Sequence, residues 1–290
     1  MSGAPADAAA EAPGSGPLGP QLALAAEAAG VRKAAAPSRQ LLALGVLAGA
    51  FIALGAWLSL VTVTGAGSLP WGVARVLSGL AFALGLVLVV GTGAELFTGN
   101  VLLVMAWTRR RISALQVLRC WGWVLLGNLL GALATAALAL LAHAHEGGGG
   151  ALGATVLQAA AAKAALAPGE AFVRGLLCNG LVCLAVWIAY GARSTTDRVM
   201  AVLWPVTAFV ALGLEHSVAN LFVLPWALAL QAWDPALAAT VLPPGSLGLV
   251  AACAGNLLPV LLGNVVGGTL LVALPYALAF EPSQPASPPC

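Results

Sequence analysis

Charge is what this chain has least of. Asp, Glu, Lys and Arg make up 8% of its 290 residues, where a soluble domain carries about 25%. With 61% hydrophobic residues and a mean hydropathy of +0.98, a water-soluble globule is excluded and an integral membrane protein implied. No polar stretch is long enough for a separate soluble domain. The five cysteines, Cys120, Cys178, Cys183, Cys253 and Cys290, include no pair at metal-ligand spacing and read as small buried hydrophobes. There is no P-loop, no HExxH and no nucleotide motif, which excludes an ATP-driven pump. No metal or other cofactor and no nucleic acid is expected. Residues 1–20, rich in Ala, Gly, Pro and Ser, lack the basic start and apolar core of a cleaved signal peptide and read as a disordered tail. So does "EPSQPASPPC" at 281–290.

What remains is apolar and long. Stretches able to span a bilayer, about 20 residues each, occur at roughly 41–63, 75–107, 114–142, 170–191, 199–232 and 248–280. Six crossings in one domain, 41–280, put both termini on one side. That side holds nine of the twelve basic residues: Arg32, Lys33, Arg39, Arg109, Arg110, Arg111, Arg119, Arg193 and Arg198. The other side holds Arg75, Lys163 and Arg174. Basic loops stay inside, so both termini are expected in the cytoplasm. Ahead of the first span, residues 21–40 read as an amphipathic helix lying on the membrane surface. Its face is Leu22, Leu24, Ala25 and Ala28, with Gly30 and Pro37 able to stop it.

Two stretches break the apolar pattern. "GTGAELFTGN" (91–100) and "ALGLEHSVAN" (211–220) both read Gly-x-Glu, four residues, then Asn, and they lie 120 residues apart. A second echo follows: "LLGNLLG" (125–131) returns as "LLGNVVG" (261–267). The repeating unit is therefore three spans, and an odd number places the two copies in opposite orientations. Inverted repeats with paired interrupted helices build substrate sites near the midplane of transporters. A break strands backbone polar groups at several kcal/mol each in lipid, so these survive only where protein or a water-filled cavity meets them. Gly91, Gly93 and Gly99 permit the turns, and Thr98, Asn100, Ser217 and Asn220 are expected to satisfy the freed backbone. The small residues of the second motif let helices pack closely.

"AELFTGN", "CNGLVCLAVW", "EHSVAN" and "NLLPVLLGN" resemble, in order and register, the signature segments of the formate/nitrite transporter family. The resemblance runs from about Glu27 to Tyr276 and includes "AEAAGVRKA", similar to that family's N-terminal helix. It implies an all-α, aquaporin-like fold with helices 2 and 5 broken. It also implies a homopentamer with one pore per protomer, in a bacterial inner membrane.

His216 stands at the centre of the expected site. It is the only histidine in any span and sits at a break beside Glu215, and an ionisable group inside the membrane is a functional candidate. An imidazole there can donate a proton to a weak-acid anion, sparing it a desolvation penalty of several kcal/mol; the resemblance implies that it either does this or stabilises the anion by a hydrogen bond. The resemblance makes Thr98 the threonine that bonds this histidine, Lys163 the anion-attracting lysine of the outer vestibule and Asn179 a pore asparagine, with Glu215 linking lysine and asparagine. It makes Phe82, Phe209 and Val182, with Leu86, Leu96 and Phe97, the apolar constrictions; unaided, these read as packing. Glu95 reads as a structural tie for the first break. His143 and His145, in "AHAHEGGGG", read as loop residues, with a weak metal contact the minor reading.

Two rivals differ in kind. A neutral-solute pore has no use for a midplane histidine with a vestibule lysine. A membrane hydrolase would use Ser217 beside His216, but adjacent helical residues diverge by about 100° and no acid completes a triad. The chain therefore reads as a channel or transporter, not an enzyme, for small weak-acid anions with pH-dependent, proton-linked permeation. The prolines in "NLFVLPWAL" and "NLLPV" favour formate over nitrite or hydrosulfide.

Overall fold

The computed structural model describes residues 18–280, and every regular element among them is helical. The expected tails lie outside the described residues, except that residues 18–20 form the first turn of α1. The first half comprises α1 (Leu18–Ala35), α2 (Ser38–Val63), α3 (Trp71–Thr92), a 3₁₀ turn (Gly99–Leu102) running into α4 (Leu103–Thr108), and α5 (Ala114–Leu141). The second comprises α6 (Ala151–Ala164), α7 (Pro168–Ala189), α8 (Thr195–Ala211), α9 (Ser217–Trp233), α10 (Pro235–Val241) and α11 (Ala251–Ala279).

Helices α2, α3, α5, α7 and α11 are each long and apolar enough to cross a bilayer. The remaining crossing is divided: α8 and α9 have 17 residues apiece, and residues 212–216 between them are in no helix. Helix α9 is bent by 114° against α10, and only the two together are long and apolar enough for a sixth span. The two breaks therefore differ. The 22 residues of α3 rise roughly 33 Å, so the first break follows a full-length helix instead of interrupting its middle. The chain then folds back over 93–98 against α2 and α5, with Glu95 N–H donating to Leu44 O at 3.2 Å. Helix α11 widens into π turns at Ala251–Leu257 and Thr269–Ala273. Each leads into a proline, Pro259 or Pro275, whose missing N–H and ring–carbonyl clash an ordinary α-turn cannot accommodate.

The glycine-asparagine motifs are seams. A Cβ on Gly49 would collide with the backbone of Asn128, and one on Gly131 with Val46 O, so α2 and α5 meet backbone to backbone. The pair α7 and α11 repeats this: Gly175 lies against Val260, Gly263 against Phe172 O, and Gly267 against Leu176 O. Lipid tails are as apolar as leucine, so such close packing is what holds membrane helices together.

Helix α1 differs from its expected face. Leu22, Ala23, Ala26, Glu27, Ala29, Gly30 and Ala34 are buried, while Leu24 is 57% exposed. It packs on α4 and α5, and it runs through Gly30, which sits against Ala106. Glu27 fixes it, bonded to Arg109 at 3.0 Å and Arg111 at 2.8 Å, while Arg109 also donates to Phe280 O at 2.6 Å.

Candidate functional site

Both breaks are closed by one set of bonds. α3 and α8 each end on a glycine in the left-handed region, Gly93 at φ 76° and Gly213 at φ 73°. The following residue bonds back five positions, Ala94 N to Val89 O and Leu214 N to Phe209 O, both 3.0 Å. This is the glycine-terminated cap that satisfies otherwise stranded carbonyls. The rest is supplied from the seam motifs. Asn128 Nδ2 donates to Gly45 O (2.8 Å) and Glu95 O (2.9 Å), and its Oδ1 accepts from Phe97 N–H (2.9 Å). Asn264 Nδ2 donates to Gly175 O (2.8 Å) and Glu215 O (3.0 Å), and its Oδ1 accepts from Ser217 N–H (2.9 Å). The expectation that the side chains of Thr98, Asn100, Ser217 and Asn220 satisfy the broken backbone is thus corrected: that work falls to Asn128 and Asn264. Gly91 lies in the last turn of α3, Gly99 and Asn100 in the 3₁₀ turn, and Ser217 and Asn220 at the start of α9.

Asn100 and Asn220 instead clamp carboxylates. Asn220 Nδ2 donates to Glu215 at 2.7 Å, and Lys163 Nζ contacts both Glu215 oxygens at 2.9 and 3.1 Å. In the other repeat Asn100 Nδ2 donates to Glu95 at 2.8 Å, and Lys33 Nζ reaches Glu95 at 2.8 Å and Asn100 Oδ1 at 2.7 Å. So Glu95 is half of an ion pair with a lysine of α1. Lys33 was missed in the sequence, although "KAAAP" (33–37) and "KAALAP" (163–168) carry the signal. Glu215 bonds Asn220 and Asn256, not Asn179, so the expected lysine–glutamate–asparagine link to Asn179 is also corrected. Asn179 Nδ2 ties Thr98 O (3.1 Å) to Asn264 O (2.7 Å), leaving its buried Oδ1 without a partner.

The breaks meet at His216, which is 3% exposed. It caps α9: Nδ1 accepts from Ala219 N–H at 3.1 Å. In the neutral ring the proton is then on Nε2, 3.1 Å from Thr98 Oγ1. Phe209 stacks on the imidazole at 5.8 Å between centroids, and Phe82 stands edge-on to both, 5.4 Å from Phe209 and 6.4 Å from His216.

A cavity opens beside each break. One, of about 320 Å³, is lined by Arg75, Lys163, Arg174, Glu215, His216, Phe82 and Phe209 among others. The second, of about 490 Å³, is lined among others by Arg32, Lys33, Leu86, Glu95, Leu96, Asn100 and Arg198. Val182 is buried in α7, and Phe97 packs edge-on against Trp121 at 6.0 Å. Lys163 is not the only cation of the first cavity. Arg174 pairs with Glu170 at 2.5 Å. Arg75 donates to Ala211 O (3.0 Å) and Val210 O (2.7 Å) at the end of α8 and has no carboxylate partner among the described residues. Nothing in the sequence around Arg75 marks it.

Five to six apolar crossings, two polar breaks meeting at a histidine and a cavity beside each break define a multi-pass membrane transport protein. Residues 20–278 match the family described as Formate/nitrite transporter, and the chain belongs to that family. It is similar to the Formate channel FocA of Escherichia coli (strain K12), 38% identical over 261 residues, covering 88% of this chain and 91% of that one. Among solved structures it resembles a "Pentameric formate channel with formate bound", with TM-score 0.74, 36% identity and coverage of 84% of this chain and 97% of that one. It also resembles an "FNT family ion channel", with TM-score 0.73, 29% identity and coverage of 89% and 98%.

Proposed function

We propose that this chain is a formate channel of the cytoplasmic (inner) membrane, assembled as a homopentamer with one pore per protomer and both termini in the cytoplasm. The observation that carries it is the Thr98–His216 contact at 3.1 Å, which joins the two breaks between two cavities that each hold a lysine–glutamate pair. The similar proteins named as formate channels, one titled pentameric with formate bound, support the substrate and the assembly. The basic residues around α1, α4 and the start of α8 support the orientation.

Arg75 supplies net positive charge to the first vestibule, so an anion is drawn there before it meets the apolar rings. At the rings an ion loses its water at a cost of several kcal/mol, and a proton that the permeant takes from hydronium or buffer in the vestibule, before it reaches the rings, removes most of that cost. His216 works from Nε2, because a second proton on Nδ1 would break its bond from Ala219 N–H. It therefore acts as a hydrogen-bond donor to the permeant's carbonyl oxygen and is not itself the source of the proton. We assign the acceptor of the acid's O–H to Asn179, whose buried Oδ1 has no partner and whose Nδ2 holds Thr98 O. Permeation is then proton-linked through the permeant. Formate, nitrite and hydrosulfide uptake into liposomes at several pH values tests this: formate should lead and rise as pH falls. Flux that favours nitrite or hydrosulfide, or ignores pH, overturns the reading.

A further inference from the structure

Away from the pore, the turn between α5 and α6 gathers three metal-binding side chains. We propose that His143, His145 and Glu146 form a binding site for a divalent transition metal of the zinc type, one ion per protomer. One imidazole nitrogen from each histidine and a carboxylate oxygen of Glu146 lie within 4.8 Å of one another. His143 Nδ1 is already 2.9 Å from Glu146 Oε1, and the two imidazoles are 5.7 Å apart at 31°. Tetrahedral zinc with Zn–N and Zn–O near 2.0–2.2 Å holds its donors roughly 3.3 Å apart, so small side-chain rotations close the set.

One further observation points to a ligand. His145 is 4% exposed, yet its Nδ1 finds no partner; a buried polar atom left unpaired is costly, and a metal ion would satisfy it. His143, in a left-handed backbone conformation at φ 53°, has its ring 5.7 Å from that of His145. The frame is firm. Ala142 N bonds to Leu138 O at 2.9 Å and His143 N to Leu140 O at 3.0 Å, anchoring the turn on α5. The first turn of α6 lies on His145, where a Cβ at Gly153 would meet its backbone O at 3.0 Å. Trp233, at the end of α9, stands edge-on to His143 at 6.2 Å. Two imidazoles and one carboxylate suit zinc, copper or nickel over magnesium or calcium, and leave a coordination position for water or an external ligand.

Tagless full-length protein titrated with zinc chloride in a calorimeter tests the site. One saturable zinc per protomer is expected, with magnesium chloride giving no heat of binding. His143→Ala and Glu146→Gln, both at exposed side chains, should each weaken zinc at least tenfold, and His145→Ala should abolish binding. Zinc should raise the melting temperature of the wild type but not of His143→Ala, so a variant that folds poorly is recognised as such. Equal zinc affinity in wild type and His143→Ala, no saturable binding, or magnesium binding as well as zinc would each overturn the proposal.

Discussion

Asn128 and Asn264, one in each glycine seam, make the same three hydrogen bonds to the two breaks and to the facing helix. Each holds a backbone N–H and two carbonyls that would otherwise be stranded at membrane depth. Leucine in either place fits the apolar surroundings but satisfies none of the three groups, at about 1–3 kcal/mol per buried group. Asn128→Leu and Asn264→Leu should each cost several kcal/mol, read as a fall in melting temperature and loss of assembled protein on size exclusion. An Asn264→Leu variant that assembles with wild-type stability would mean that the break is held by other contacts.

Lys163 tests charge capture against ion pairing. Its partner Glu215 has a side chain only 6% exposed, and removing one member of a buried pair costs about 3–5 kcal/mol because the other is left charged and unpaired. Lys163→Ala should therefore lower both formate flux and thermal stability. Adding Glu215→Gln should recover the stability but not the flux. If the single variant is as stable as wild type, the pair is not what holds Lys163 in place.

Arg75 carries the charge that the Lys163–Glu215 pair cancels in itself. Arg75→Gln keeps a donor for the carbonyls of Val210 and Ala211 but removes the positive charge. Formate uptake at low concentration should fall several-fold, and its dependence on ionic strength should flatten, because screening acts on the field that Arg75 supplies. Unchanged salt dependence would assign Arg75 to capping α8 alone.

The sequence made the pore's frame legible because backbone breaks in lipid demand unusual residues. Gly93 and Gly213, the carboxylates beside them and the LLGN seams announce themselves against apolar surroundings. The partners of those residues were less visible. An asparagine inside an apolar helix signals that something needs its bonds, without saying what, so Thr98, Asn100, Ser217 and Asn220 were expected to do what Asn128 and Asn264 do. Lys33 escaped because α1 looked like a surface helix, and its contact with Glu95 spans 62 positions in the chain. Asn179 and Glu215 sit on neighbouring elements, and only three dimensions reveal that Asn179 reaches backbone carbonyls instead.

His216 separates a hydrogen-bond donor from a proton donor. Asparagine is a good N-cap, so His216→Asn keeps the bond from Ala219 N–H through its own Oδ1 and should assemble normally. It no longer reaches Thr98 with a ring N–H and cannot titrate. If the proton travels with the permeant, this variant conducts more slowly than wild type but keeps the wild-type pH profile. If the imidazole were the proton source, the pH dependence would vanish. His216→Phe loses both the cap and the donor and adds a third hydrocarbon ring beside Phe82 and Phe209. It should close the pore to formate, and size exclusion on the same sample separates a blocked pore from a misfolded one. Formate flux in liposomes between pH 5 and 8, measured on assembled protein for all three residues, gives the answer. A flat profile for the asparagine variant beside a steep wild-type one would return the proton to His216 and sink the donor-only role.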